Sequence, residues 1–244
     1  MLTLIAWLSI ALALISAAWI ALDEVEQKQP MAVMNVVWPV SGLYFGVFAV
    51  WAYWKLGRPR AMKVGLNAHQ HMGQMHAMGH DAASSEKHSM REQTTRPTLA
   101  QVAVGTSHCG AGCMLADLAC SFWIAASGIT LLGSRLWAEF AIDLLAAWTL
   151  GVVFQYWAIK PMGQLSAKQA LVAAIKADTL SILAFQVGMY AFMAVTWFVF
   201  FPAPHLDAFE ARYWFMMQLA MIAGFATSFP MNALLIRMGV KEAM

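Results

Sequence analysis

The sequence predicts an all-α, polytopic membrane protein: a bundle of about six transmembrane helices, with one disordered His/Met-rich loop on the cytosolic side. Three observations carry this. The chain has 244 residues, of which 61% are hydrophobic and only 11% charged, with a mean hydropathy of +0.61. A soluble domain carries about 25% charged residues, so lipid must be the solvent for much of this surface. Six apolar stretches are long enough to cross ~30 Å of hydrocarbon at 1.5 Å per residue. Basic residues fall beside alternate stretches.

The stretches run from about Leu2–Leu22, Met31–Trp54, Thr106–Leu132, Trp137–Ile159, Thr179–Phe201 and Tyr213–Ile236, within a single integral membrane domain over 1–244. The first lacks the basic flank of a secretory signal and is read as a retained helix. Lys55, Arg58, Arg60, Lys63, Lys87, Arg91, Arg96, Lys160, Lys168, Lys176, Arg237 and Lys241 fall on one side, 12 of the 15 basic residues. Lys28, Arg135 and Arg212 fall on the other, beside the acidic run Asp23, Glu24 and Glu26. The rich side is therefore expected to be cytosolic, with both termini there. Two amphipathic lead-ins, Leu99–Gly105 and a segment opening at the capping box Ser166-Ala-Lys-Gln169, are expected on the membrane surface. The segment 61–98 has no apolar periodicity and is expected to be disordered.

Within that loop stands a tract holding His69, His71, Met72, Met75, His76, Met78 and His80, followed by His88 and Met90. Imidazole and thioether together suit copper, with zinc or another divalent ion the alternative. The other reading is a low-complexity linker. Metal affinity there falls as pH drops through about 6.5, because a bound imidazole must be neutral.

The three cysteines share one face of the third span. At about 100° per residue, Cys113 lies ~40° and Cys120 ~20° from Cys109. A reducing cytosol keeps such thiols free for metal, and His108 adjoins them. Packing explains them equally well, since cysteine is a small hydrophobe, and Gly110 and Gly112 admit a neighbouring helix. An odd cysteine count in one window is not a disulfide framework.

Ionisable residues inside a span default to functional candidates. Asp117 is the strongest. Asp143 stands on the next helix, four residues after Glu139, and two carboxylates sharing a site suit a proton or cation relay. Glu139 also fits a plain acidic helix start. Lys176 and Asp178 read as interfacial. Met189, Met193, Met217 and Met221 read as core fillers, and Gln155, Gln186 and Gln218 as hydrogen-bonding glue between helices. Pro230 with Asn232 suggests a kink in the last helix.

The segments HCGAGC (His108–Cys113), Trp137-Ala-Glu-Phe with Asp143, Phe154-Gln-Tyr156, Lys176-Ala-Asp-Thr-Leu-Ser181, Tyr213-Trp-Phe-Met-Met-Gln218 and Lys241-Glu-Ala-Met are distinctive together. In this combination, from about Leu99 to Met244, the chain resembles a family of small bacterial membrane proteins known only as a domain of unknown function. The first hundred residues match that family less well, though its members often carry a similar His-rich second loop. The resemblance implies a helical bundle in the bacterial inner membrane and implies no reaction.

Function is expected to be the handling or efflux of a soft metal ion, copper first, captured by the tract and relayed by Cys109, Cys113 and Cys120 past Asp117, Asp143 and Glu139. A membrane thiol redox protein using Cys109 and Cys113, and a non-catalytic sensing or assembly subunit, are the alternatives. An enzyme is the less favoured class, and no nucleotide-binding loop is present. A haem carrier would need buried axial ligands, and outside the loop only His108 and His205 occur. The expected partners are the bilayer, a metal ion, and either a second copy or another membrane subunit; the net charge of +2 points to no nucleic acid.

Overall fold

The computed structural model describes residues 1–29, 31–58, 97–159 and 166–241. All regular structure among them is helical: α1 Leu2–Glu26, α2 Met34–Phe45, α3 Val47–Ala52, α4 Leu99–Ser127, α5 Arg135–Ile159, α6 Ala167–Val195 and α7 Ala211–Arg237. Single π-helical turns, Tyr53–Gly57 and Thr196–Phe200, extend α3 and α6. Five helices are long and apolar enough to cross a membrane: α1, α4, α5, α6 with its π turn, and α7.

The second apolar stretch is not a sixth such helix. It breaks at Gly46, whose φ of 54° and ψ of −128° suit a residue without a Cβ. Past that break the chain folds back on itself. The Trp38 and Tyr53 rings sit with centroids 5.7 Å apart, and a Cβ on Gly57 would strike the Trp38 indole. A straight helix would hold residues 38 and 57 about 28 Å apart. The hairpin therefore enters and leaves at one end of the bundle. That end is marked by Asp23, near the C-terminus of α1, which accepts from Tyr53 Oη at 2.8 Å and from Arg58 at 2.5 and 3.1 Å. Hydropathy counts residues without seeing the reversal.

Two expectations change with it. The Leu2 end of α1 and the Arg237 end of α7 lie at opposite ends of the bundle, so the two ends of the described chain do not share one side. Lys28 and the acidic run Asp23, Glu24 and Glu26 join the basic end, because the hairpin's Arg58 bonds Asp23 there. Among the described residues, Arg135 and Arg212 alone of the basic residues stand at the other end.

The two lead-ins are continuous with their spans, giving helices of 29 residues each. Each opens with a capping box, Thr98 with Gln101 and Ser166 with Gln169. Glycines set the closest crossings. A Cβ on Gly112 would stand 3.4 Å from the Gly151 backbone, drawing α4 onto α5. One on Gly188 would stand 2.7 Å from Ala223 O, fixing α6 against α7. Met189, Met193, Met217 and Met221 fill the core between these helices. The outer face of α1 (Leu4, Leu8, Leu12, Ile15) is apolar and open, as a lipid-facing surface should be.

Candidate functional site

Helix α4 carries the site. Cys109, Cys113 and Asp117 follow one another at single-turn spacing and are all 0% exposed; Cys120 is half-buried. All three thiols are free. Cys109 and Asp117 meet polar partners on different neighbouring helices.

At the basic end, Cys109 Sγ lies 3.4 Å from Asp178 Oδ1 and 3.3 Å from Ser181 Oγ, both on α6. Lys241 Nζ donates to Asp178 Oδ1 at 2.8 Å and to Cys109 Sγ at 3.2 Å. The side chains of Lys241 and Asp178 are both 0% exposed. Burial alone would pull the lysine down, but the Asp178 carboxylate and the Cys109 sulfur outweigh it and hold the ammonium charged. Ser228 Oγ donates to Ser181 O at 2.9 Å, and Asn232 Nδ2 donates to Ser228 O and Oγ at 3.1 and 3.0 Å.

Midway, Cys113 is enclosed among apolar side chains, close to Tyr44 of the hairpin. One turn further, Asp117 and Asp143 of α5 are within hydrogen-bonding reach of each other, with Cys120 beside Asp143. Neither oxygen of Asp117 nor Oδ1 of Asp143 receives a bond from a donor among the described residues. Two buried carboxylates that interact in a water-poor interior suit a proton or a cation between them.

At the far end, Ser121 Oγ and Tyr213 Oη are 2.9 Å apart, and Tyr213 Oη reaches Glu139 Oε2 at 3.5 Å. Glu139 pairs with Arg135 at 3.2 Å, and Arg135 pairs with Asp207 at 2.6 Å. Polar side chains thus follow one another along α4 from Lys241 to Asp207.

The expected cysteine face is present, and α4 brings Asp117 to Asp143. Glu139 is an ion-paired group, not a bare helix-start acid. His108 is 0% exposed, packs edge-on to Phe154 and has no partner for either ring nitrogen among the described residues. Among the described residues no three His, Cys, Asp or Glu groups converge on a common point. His69, His71, Met72, Met75, His76, Met78 and His80, with the expected disorder of their loop, lie outside the described residues. Of the glutamines, Gln218 bridges Ser9 Oγ at 2.6 Å and Leu43 O at 2.8 Å. Gln155 and Gln186 are buried without such bonds among the described residues.

Asp178 corrects its interfacial reading, while Lys176 is exposed, and Lys241, read as an orienting charge, is interior as well. A lysine just past a last helix reads as an orienting charge, and only the turn at Gly239 sends it inward. The Ser228/Asn232 pair, four residues apart on one face of α7, was the available signal.

These features define a class, a helical membrane bundle threaded by a buried line of thiols, carboxylates and hydroxyls. Residues 98–241 match the family described as a domain of unknown function, DUF4396, and the chain belongs to that family. The match covers α4 to α7 and the site, and leaves out α1 and the hairpin. No curated protein and no solved structure matches the chain.

Proposed function

We propose that this protein carries a soft metal cation across the bacterial inner membrane along the α4 line, with copper the first candidate and zinc or another divalent ion the second. The basic end is the cytosolic one by the charge rule. In this reading the membrane is crossed by the five long helices, and the hairpin dips in and returns to the cytosol. The second apolar stretch therefore adds no sixth crossing. The His69–His80 tract collects the ion on that side, which makes the direction efflux.

One observation carries the reading: a single helix face sets thiols and a carboxylate, all buried, one turn apart in the order Cys109, Cys113, Asp117. Soft sulfur ligands suit Cu(I), and ligands that succeed one another without closing a tight cage suit an ion that must move on. Asp117 and Asp143 hold a proton between them that is released as the cation arrives. Glu139 and Arg135 close the far end. A disulfide cycle at Cys109 and Cys113 is less favoured, because the two lie on one unbroken helix, where such a bond has poor geometry.

The test is flux in proteoliposomes. Purified wild-type protein should move Cu(I), or Ag(I) in its place, with a counter-movement of protons read by an internal pH dye. Cys113→Ser and Asp117→Asn should each slow it by about tenfold or more, the loss of ~1.4 kcal/mol of stabilisation along the path. No metal-dependent signal above empty liposomes with copper, silver or zinc overturns the reading.

A further inference from the structure

We propose that the pocket formed by Asp178, Cys109, Ser181 and Asn232 is a binding site for a soft metal cation, and that Lys241 is its tethered occupant, displaced when the ion arrives. The inference rests on the metal-carrying reading above and assigns that path its cytosolic entry site.

The backbone delivers Lys241 deliberately to this place. After Arg237 the chain reverses through Gly239, at φ 67°. The N–H groups of Val240 and Lys241 both bond Leu235 O, at 3.0 and 3.2 Å. This cap turns the following side chain back beside the helix rather than out into solvent. The ammonium then lies in the pocket with no exposure at all.

The pocket offers more acceptors than the lysine uses. Nζ satisfies Asp178 Oδ1 and Cys109 Sγ. Asp178 Oδ2 receives no bond among the described residues, although the residue is 0% exposed. Asn232, also 0% exposed, is oriented by its two bonds from Nδ2 to Ser228, and its Oδ1 is left without a donor among the described residues. That oxygen lies near the lysine stem: a Cβ on Gly105 would be 3.9 Å from Asn232 Oδ1 and 3.9 Å from Lys241 Cε. Asp178 Oδ2 faces α5, 3.4 Å from where a Cβ on Gly151 would stand, beside Ile182. Buried acceptors without donors are costly, and a structural ion pair would not need them. A carboxylate, a thiol and a hydroxyl in mutual contact, with an amide oxygen near the lysine stem, are a cation's ligand set, with the sulfur favouring a soft ion.

The charges balance. Lys241 ammonium and Asp178 carboxylate sum to zero. A monovalent ion that replaces the ammonium leaves the pocket neutral when Cys109 hands its proton to Asp178, 3.4 Å away, and binds as the thiolate. A divalent ion does so only if the thiol also gives up its proton to water. Cu(I) therefore exchanges with the lysine alone. Once freed, Lys241 swings on the Gly239 turn towards the cytosol.

The measurement is lysine acylation of the full-length protein in detergent, mapped by mass spectrometry before and after Cu(I) supplied from a competing chelator, with Cu(I) uptake followed in the same titration. In wild type, Cu(I) should raise the acylation rate of Lys241 about tenfold as the occupied fraction of lysine in the pocket falls. Cys109→Ser should abolish that rise. Lys241→Met should bind the Cys109-dependent ion more tightly than wild type, whereas Lys241→Arg, which keeps the cation, should not. If copper binds and depends on Cys109 but Lys241 acylation is unchanged at saturation, the tethered-occupant proposal is overturned while metal handling stands. If copper binds and Cys109→Ser retains it, the pocket is not the site. If no version takes up copper, both readings fall.

Discussion

Lys241 and Asp178 are the pair on which the basic end depends most. Removing one partner of a buried ion pair leaves an uncompensated charge, which costs about 3–5 kcal/mol. Lys241→Ala is expected to lower the thermal midpoint in detergent sharply, and Lys241→Met with Asp178→Leu to recover most of it; equal melting of Lys241→Ala and wild type would show the pair carries no stability. At this scale the sequence was legible where angular arithmetic on one helix suffices. The spacings of Cys109, Cys113 and Cys120 put the thiols on one face, and the short link between two long helices brought Asp143 to Asp117. Lys241 was not legible, because its burial depends on a turn outside the helix and on partners 63 and 132 residues away in the chain.

Among the elements, the hairpin of α2 and α3 departs furthest from what hydropathy suggests. Its apolar run is long enough to span a bilayer, and composition does not distinguish a straight helix from two short ones folded together. The signals were present as Pro39, which removes a backbone donor within α2, and Gly46 at the reversal. Gly46→Val places a β-branched side chain at a φ of 54° and should cost about 1–3 kcal/mol. Melting in detergent reads the loss, and cysteines introduced at 38 and 57 should crosslink in the Gly46 parent and much less in the variant. Crosslinking that survives Gly46→Val would show that the fold-back does not need glycine. The long helices were more legible than their ends. Runs of apolar residues marked α4 to α7, while the capping box at Thr98 shows that α4 starts a full two turns earlier than its apolar stretch.

For the molecule as a whole, the hairpin sets the arrangement of the ends. A cysteine introduced at Lys28 distinguishes the alternatives. With the hairpin, it shares a side with the Arg58 and Arg237 ends and should react with a membrane-impermeant maleimide only after the cytosolic face is opened. With six crossings it would react in intact cells. Labelling of intact cells at position 28 would therefore return the second stretch to a full span. The charge count alone did not decide this, because Lys28 sits among Asp23, Glu24 and Glu26 and contributes little to either tally.

The family match begins at residue 98 and ends at 241, a stretch that holds four long helices. Four is an even number, so this unit starts and finishes at the same face. Whatever is joined ahead of it can be lengthened, shortened or exchanged without turning it over. The hairpin extends that freedom, since it returns to the face it left. Ahead of that unit, α1 alone decides at which face its Leu2 end lies. A membrane module of this kind can acquire new N-terminal parts as a soluble domain does, by fusion at a loop, with its internal path kept in register and pointing the same way.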